Sequence, residues 1–237
     1  MNKEMWYQEL GFEENPFTIK PVKHRDQLVG VDEKARDIIK LIQAGKVVFI
    51  TGDYGRGKTS LLQRIIKRFQ GQRKVAYFSG NQIEKHLDMD SILINAGGFF
   101  SRLFRVKSED VILLLDEVQD LNQNDVDEIV SAYEEGYLKS VIIVSAQLSP
   151  QKADEMFGGL IGKNTFELEG LTEDQALELI KSRVGEIALL PDEVILRIHG
   201  IDPNPRSILK NCEDVCKFAV ESGDEKVTED HIEKVLL

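Results

Sequence analysis

A chain of 237 residues with 42% hydrophobic and 30% charged side chains is long enough for one large domain, or for one domain with a small partner. Its net charge of −11 argues against a domain dominated by nucleic-acid binding, and no apolar run approaches the roughly 20 residues of a membrane helix. The opening stretch MNKEMWYQELGFEENPF has no apolar core and no small-residue cleavage site, so the expectation is a cytoplasmic protein without a signal peptide.

The first thirty residues read as irregular, with turn or extended dipeptides at Asn15-Pro16 and Lys20-Pro21. Asp32 opens a helical pattern with Ala35, Ile38, Ile39 and Ile42 at helical spacing, and Gly45 closes it. KVVFIT (46–51) is a short continuous apolar run, which suits a buried strand. A glycine-rich turn follows. TSLLQRIIKRF (59–69) then reads as a helix, with Leu61, Leu62, Ile65, Ile66 and Phe69 on one face. KVAYFS (74–79) is a second strand. Between 80 and 110 the pair Gly97-Gly98 breaks any continuous element, and none is assigned. VILLLD (111–116) is a third strand, 125–136 a helix, SVIIVSA (140–146) a fourth strand and NTFELE (164–169) a fifth. Strands alternating with helices predict an α/β fold with a parallel sheet covered on both faces.

From about residue 170 only helices follow. Thr172 with Gln175 makes a capping box, Pro191 starts a short helix ending at Gly200, Pro205 opens a third, and Thr228 caps the last. The expected division is an α/β domain over 1–168 and a helical domain over 169–237. Cys212 and Cys216 lie four apart among Ile208, Leu209, Val215 and Ala219, so they read as small core residues rather than a redox or metal pair. The histidines at 24, 86, 199 and 231 share no ligand spacing. Charge is uneven: residues 1–74 hold 15 basic and 9 acidic side chains, residues 75–237 hold 15 and 32. The acidic part reads as a solvated surface.

The segment Gly52-Asp53-Tyr54-Gly55-Arg56-Gly57-Lys58-Thr59 matches G-x-x-x-x-G-K-[ST], with a strand running into it and a helix running out. Glycines at 52, 55 and 57 allow positive φ and close wrapping of a phosphate. Their amides, and those of Thr59 and Ser60 opening the next helix, point at the anion and add the helix dipole. Lys58 supplies charge to the outer phosphates, and Thr59 offers a hydroxyl to Mg2+. The second element is VILLLDE, where a buried strand ends in Asp116-Glu117 at the edge on which open α/β sheets bind ligands. There Asp116 would hold Mg2+ through water, and Glu117 would orient and deprotonate an attacking water.

On these residues the sequence resembles the AAA+ P-loop ATPases, and within them the archaeal origin-recognition and initiator-like branch. The resemblance covers nearly the whole chain. It implies a five-stranded parallel sheet in the order 5-1-4-3-2, an α-helical lid after it, and ATP or ADP with Mg2+ as ligands. LVGVDEKARDIIKLI (28–42) is similar to the segment that passes the adenine in that branch, which assigns Val29 and Gly30 to the base. The end of SVIIVSAQ corresponds to a polar sensor near the γ-phosphate, with Ser145 or Gln147 as the candidates. Asn204-Pro205-Arg206 resembles the lid sensor, whose arginine reaches the γ-phosphate. Ser79 or Asn81, after the second strand, would restrain Glu117.

Two departures stand out. That branch carries a winged-helix DNA-binding domain after the lid, whereas this chain ends at Leu237, so direct DNA binding is expected to be weak at most. Many AAA+ ATPases also take an arginine finger from a neighbouring subunit shortly before the fifth strand; here no arginine lies between Arg105 and Arg183, and the stand-ins are Leu160 and Lys163. The resemblance implies an ATP-driven switch acting on a macromolecular partner in DNA replication, repair or mobility. A nucleotide-dependent scaffold with little turnover is the alternative. A DNA-binding module using the basic stretch Lys58–Lys74 and a small-molecule kinase are the other readings. The partner expected is an unidentified protein, no membrane is expected, and the sequence leaves self-association open.

Overall fold

A computed structural model describes residues 5–19, 29–80, 87–118, 121–185, 187 and 189–237. The chain separates into two compact units: Val31–Tyr54 with Lys58–Leu168, and Met1–Gly30 with Glu169–Leu237, to which Gly55–Gly57 also belong.

The first unit is a parallel sheet. Its strands are β1 (Val47–Thr51), β2 (Lys74–Ser79), β3 (Val111–Asp116), β4 (Leu138–Ser145) and β5 (Thr165–Glu167). The spatial order is β2-β3-β4-β1-β5, as the family resemblance implies, and every pairing is parallel. All six residues of β3 are buried. That is why VILLLD reads as an uninterrupted apolar run and not as an alternation: both faces of an interior parallel strand are covered. Val47, Phe49, Leu113, Leu115, Val141 and Ile143 share one core with Val126 and Ile129 of α5 (Gln123–Glu134). Helix α1 (Asp32–Gln43) packs on β1 and β4, and α2 (Lys58–Phe69) on β2. Strand-end geometry follows from register. Ser79, Asp116 and Val144 stand level across three strands, and Thr51 is level with Ser145 on one side and Glu167 on the other.

Several elements differ from the sequence reading. The stretch left unassigned forms α3 (Met89–Ala96) and α4 (Gly98–Phe104). Gly98 at φ +79° marks the break between them. The Asp88 carboxylate starts α3 by accepting the Ser91 amide at 2.9 Å. Helix α5 begins before Asp125 because Asp125 is the third residue of a capping box opened by Asn122. A further helix, α6 (Pro150–Met156), is capped by Ser149 and has Pro at its start.

The second unit packs α7 (Glu173–Val184), α8 (Asp192–Ile201), α9 (Pro205–Ser222) and α10 (Glu229–Leu236) around one core. The Thr172–Gln175 capping box is present. The α10 box pairs Thr228 with His231, an uncommon partner that the Glu/Gln pattern does not find. Residues 5–19 belong with this helical unit and not with the sheet, unlike the division expected at 168. Phe17 is fully buried in its core, with Trp6, Leu10 and Phe12 packed against it. The Arg183 guanidinium donates to the Pro16 and Thr18 carbonyls at 3.3 and 2.6 Å. An irregular aromatic-rich segment has no periodicity to say which core will bury it. Lys20-Pro21, His24 and His86 lie outside the described residues.

Cys212 and Cys216 are both fully buried on the inner face of α9. Burial, with Cys216 beside it, pushes the Cys212 thiol well up, and burial pushes the Cys216 thiol up to about 12. A raised folded-state value gives stability that is full below the unfolded thiol value of about 8.5 and lost as pH climbs toward the folded one. The expected outcome is that neither thiol reacts with Ellman's reagent in the native protein at pH 8, that both react in guanidinium, and that chemical stability declines above about pH 9.

Candidate functional site

β1 carries the chain through the sheet to Thr51, and the turn beyond it runs straight into α2. Gly52 takes φ +142°, Gly55 +87° and Gly57 +90°, all outside the range that side chains favour. At Gly52 there is a second reason for glycine. A Cβ there would stand 2.5 Å from the Leu168 carbonyl oxygen. The Leu168 amide in turn donates to the Thr51 carbonyl at 2.8 Å, so the base of the turn is clamped to the chain leaving β5.

Lys58, the first residue of α2, bends back over the turn. Its ammonium donates to the Gly52 carbonyl at 2.6 Å and the Asp53 carbonyl at 2.9 Å. Partial burial pulls its pKa down, while Asp116, Asp53 and Glu117 pull the other way. The ammonium thus rests on two neutral carbonyls of the turn, contacts that an anionic oxygen can replace. Thr59 Oγ1 donates to Asp116 Oδ2 at 3.4 Å. Ser60 is half-buried behind it, and Asp53 and Tyr54 are exposed on the turn.

Asp116 is buried at the end of β3, 6% exposed. Glu117 follows in a left-handed conformation, φ +58°, uncommon for a residue with a long side chain. Gly80 explains how it fits: a Cβ on Gly80 would overlap the Glu117 carbonyl oxygen. Sequence reading did not single out Gly80, because a lone strand-end glycine carries no motif. It also passed over Tyr77, whose phenol donates to Asp116 Oδ2 at 3.2 Å. Burial and then the Asp116 charge push the Tyr77 pKa up. Ser79 stands level with Asp116 at the strand end, and Asn81, the other residue expected to restrain Glu117, lies outside the described residues.

At the end of β4, Ser145 is fully buried and its Oγ accepts the Gln147 and Leu148 amides at 3.1 and 3.2 Å. Gln147 is exposed. Before β5, Leu160 packs against the sheet core, and Lys163 is exposed. Asp154 Oδ1 orders this turn by accepting the Ile161 and Gly162 amides at 3.0 and 2.8 Å. The basic α2 stretch is partly engaged: Arg64 pairs with Asp32 at 2.7 Å, Arg68 donates to Gln72, and Lys74 to the Glu109 carbonyl.

In the helical unit, Asn204 caps α9 by accepting the Arg206 amide at 3.0 Å, and Pro205 fixes the first turn. Arg206 is exposed. A Cβ on Gly55 would lie 2.6 Å from Asn204 Oδ1 and 2.9 Å from Arg206 Cβ, and one on Gly170 would lie 2.5 Å from an Arg56 guanidinium nitrogen. Val29 packs on the core of this unit, and Gly30, at φ +79°, faces Leu171 and Gln175.

The oxygen donors of Thr59 and Asp116 are of the hard type that Mg2+ takes, alongside waters and phosphate oxygens. The donor set therefore fits that ion. Among the described residues no group of three or more His, Cys, Asp or Glu side chains is disposed to hold a metal by itself, and no helix is long and apolar enough to cross a membrane.

A family model described as an AAA domain matches residues 44–173, more than half the chain. No curated protein matches. Among solved structures, a chain of the Drosophila origin recognition complex bound to DNA superposes with a TM-score of 0.66 at 15% identity, covering 94% of this chain and 63% of that one. Aeropyrum pernix Orc1 in complex with DNA gives 0.69 at 15%, covering 93% and 68%. A Thermotoga maritima RuvB mutant gives 0.65 at 19%, covering 91% and 72%. The chain thus spans less than two thirds of the Drosophila protein's length. At these identities the likeness is one of fold.

Backbone approach at Gly80 has a measurable consequence. Gly80→Ala should destabilise the protein by about 1–3 kcal/mol through overpacking against Glu117. Gly200→Ala, where no atom lies within 4 Å of the added Cβ, should be neutral or stabilising by about 0.5–1 kcal/mol within its helix. Urea unfolding of the two variants checks both values.

Proposed function

The chain belongs to the AAA-domain family, and from that premise we propose that it binds Mg-ATP on the turn Gly52–Thr59, hydrolyses it slowly, and uses the change to act on a macromolecular partner. The observation that carries this reading is the convergence of Lys58, Thr59, Asp116 and Glu117 at one end of the sheet, with the Thr59 hydroxyl on the Asp116 carboxylate.

In this reading the turn amides and the start of α2 bind the phosphates, and Lys58 exchanges its loop carbonyls for phosphate oxygens. Thr59 and Asp116 are the residues that would hold Mg2+, which when bound supplies charge neutralisation at the outer phosphates. Thr59 donates its proton to Asp116, which leaves its oxygen lone pairs for a cation. Glu117 takes the proton from the attacking water. Ser145 or Gln147 is the proposed polar sensor; the two backbone amides on Ser145 Oγ and the exposure of Gln147 favour the glutamine. Arg206, on the capped start of α9 and beside Gly55, is the proposed sensor of the third phosphate, and Val29 and Gly30 are the proposed neighbours of the base.

A protein partner is supported by α4 and the residues after it. Phe99, Leu103, Phe104 and Val106 are 57–72% exposed, with Arg102 and Arg105 exposed among them. Exposed aromatic and arginine side chains in one patch are the usual anchors of an interface. Direct DNA binding is proposed to be weak, since Arg64 and Arg68 of α2 and Lys74 of β2 are engaged and the chain carries a charge of −11. Replication, repair or DNA mobility is the process we propose by analogy with the fold's relatives.

The specific observation that favours the alternative, a nucleotide-dependent scaffold, is the absence of arginine between Arg105 and Arg183. An arginine finger supplied by a neighbour is worth about 10³–10⁵ in rate in other NTPases. Lys163 is exposed but lacks the planar fork of arginine.

Two variants test the main reading. Lys58→Ala should weaken ATP binding by roughly 10- to 100-fold in calorimetry, the loss of hydrogen bonds to a charged group. Glu117→Gln should keep ATP affinity and lower turnover about 10²- to 10⁴-fold. Wild-type affinity in the first variant, or wild-type turnover in the second, removes the assignment.

The missing finger gives a separate expectation. Turnover per molecule should be slow and nearly flat over a wide range of protein concentration. A steep rise that Lys163→Ala abolishes would instead make the lysine a finger donated in trans.

A further inference from the structure

Tyr77 sits in β2 opposite Leu114 of β3, two residues before Ser79, which stands opposite Asp116. Tyr77 is 49% exposed, and its phenol donates to Asp116 Oδ2 at 3.2 Å. The same oxygen accepts the Thr59 hydroxyl at 3.4 Å. Three elements, α2, β2 and β3, thus meet on one carboxylate oxygen. Asp116 is only 6% exposed, so these donors stand where bulk water would otherwise solvate the charge.

A carboxylate rotates about a broad, roughly two-fold terminal torsion. A single donor at 3.4 Å is beyond the usual hydrogen-bond optimum and holds that torsion weakly. The Tyr77 bond at 3.2 Å is also long, so it is the two donors together, from two different elements on one oxygen, that restrict the torsion. Thr59 then has a fixed acceptor for its own proton, and its lone pairs face away from Asp116.

We propose that Tyr77 is a positioning residue: its hydroxyl locks the Asp116 carboxylate onto Thr59 and thereby presets the pair that would hold Mg2+. The proposal rests on the nucleotide-binding reading of this site. It assigns Tyr77 no contact with nucleotide and no proton transfer. Tyr77 acts through Asp116 alone, so its removal affects the cation requirement and not the phosphate turn.

The experiment is binding of a methylanthraniloyl-labelled ATP to wild type and Tyr77→Phe, with Mg2+ varied from zero (EDTA) to saturation. Phenylalanine keeps the ring and removes only the donor. The Mg2+ concentration for half-maximal enhancement of binding should rise about 3- to 10-fold, the loss of one net hydrogen bond. Affinity in EDTA should be unchanged. In an Asp116→Asn background, Tyr77→Phe should add no further change. An unchanged Mg2+ requirement, or equal weakening with and without Mg2+, overturns the positioning role while leaving the nucleotide reading intact. Failure of wild type to bind the nucleotide, or binding unaffected by Lys58→Ala, overturns the nucleotide reading and this proposal with it.

Discussion

The backbone of Gly52 runs so close to the Leu168 carbonyl that no side chain fits between them, and the Leu168 amide closes the contact on Thr51. This approach holds the start of the Gly52–Thr59 turn against the end of β5. Its origin lies in the sheet order, which sets β1 between β4 and β5 and buries Val47 to Ile50 completely or nearly so. A turn leaving a buried interior strand has its first residue fixed by the neighbours on both sides. The amides of the turn are then held in place by the sheet, the preorganisation that an anion site needs.

The same parallel register that fixes the turn also gathers the acidic edge. Ser79, Asp116 and Val144 end level, so Asp116 stands next to the helix that leaves the turn. Its charge is tolerated at 6% exposure because hydroxyls from Thr59 and Tyr77 bond it and the Lys58 ammonium lies close. Glu117, one residue on, is turned into a left-handed conformation that only the bare backbone of Gly80 admits. Strain of about 1–3 kcal/mol at such a position is the kind that surrounding structure must overrule, and here it sits on the residue proposed as the base.

The helical unit has a different economy. It is held by a continuous apolar core that includes both cysteines and extends to Phe17, while its helix starts are fixed by side-chain caps. The Asn204 cap sets the first turn from which Arg206 projects.

The turn with its lysine and threonine, the Asp116-Glu117 pair, all five strands and the four last helices could be read in the sequence, because each is local. A glycine pattern, an apolar run or a capping pair carries its own physics within a few residues. What lies between strands could not be read. Tyr77 is an ordinary strand residue until register brings its phenol to Asp116, and Gly80 is an ordinary glycine until Glu117 presses on it. That the Ser145 hydroxyl turns inward onto two amides is likewise visible only in the fold. The aromatic residues of the N-terminal segment have no period, so only the helical core that covers Phe17 decided where they belong. Local chemistry is written in neighbouring residues, but the side chain that completes a site is chosen by which strands lie next to each other, and that is set by the packing of the whole sheet.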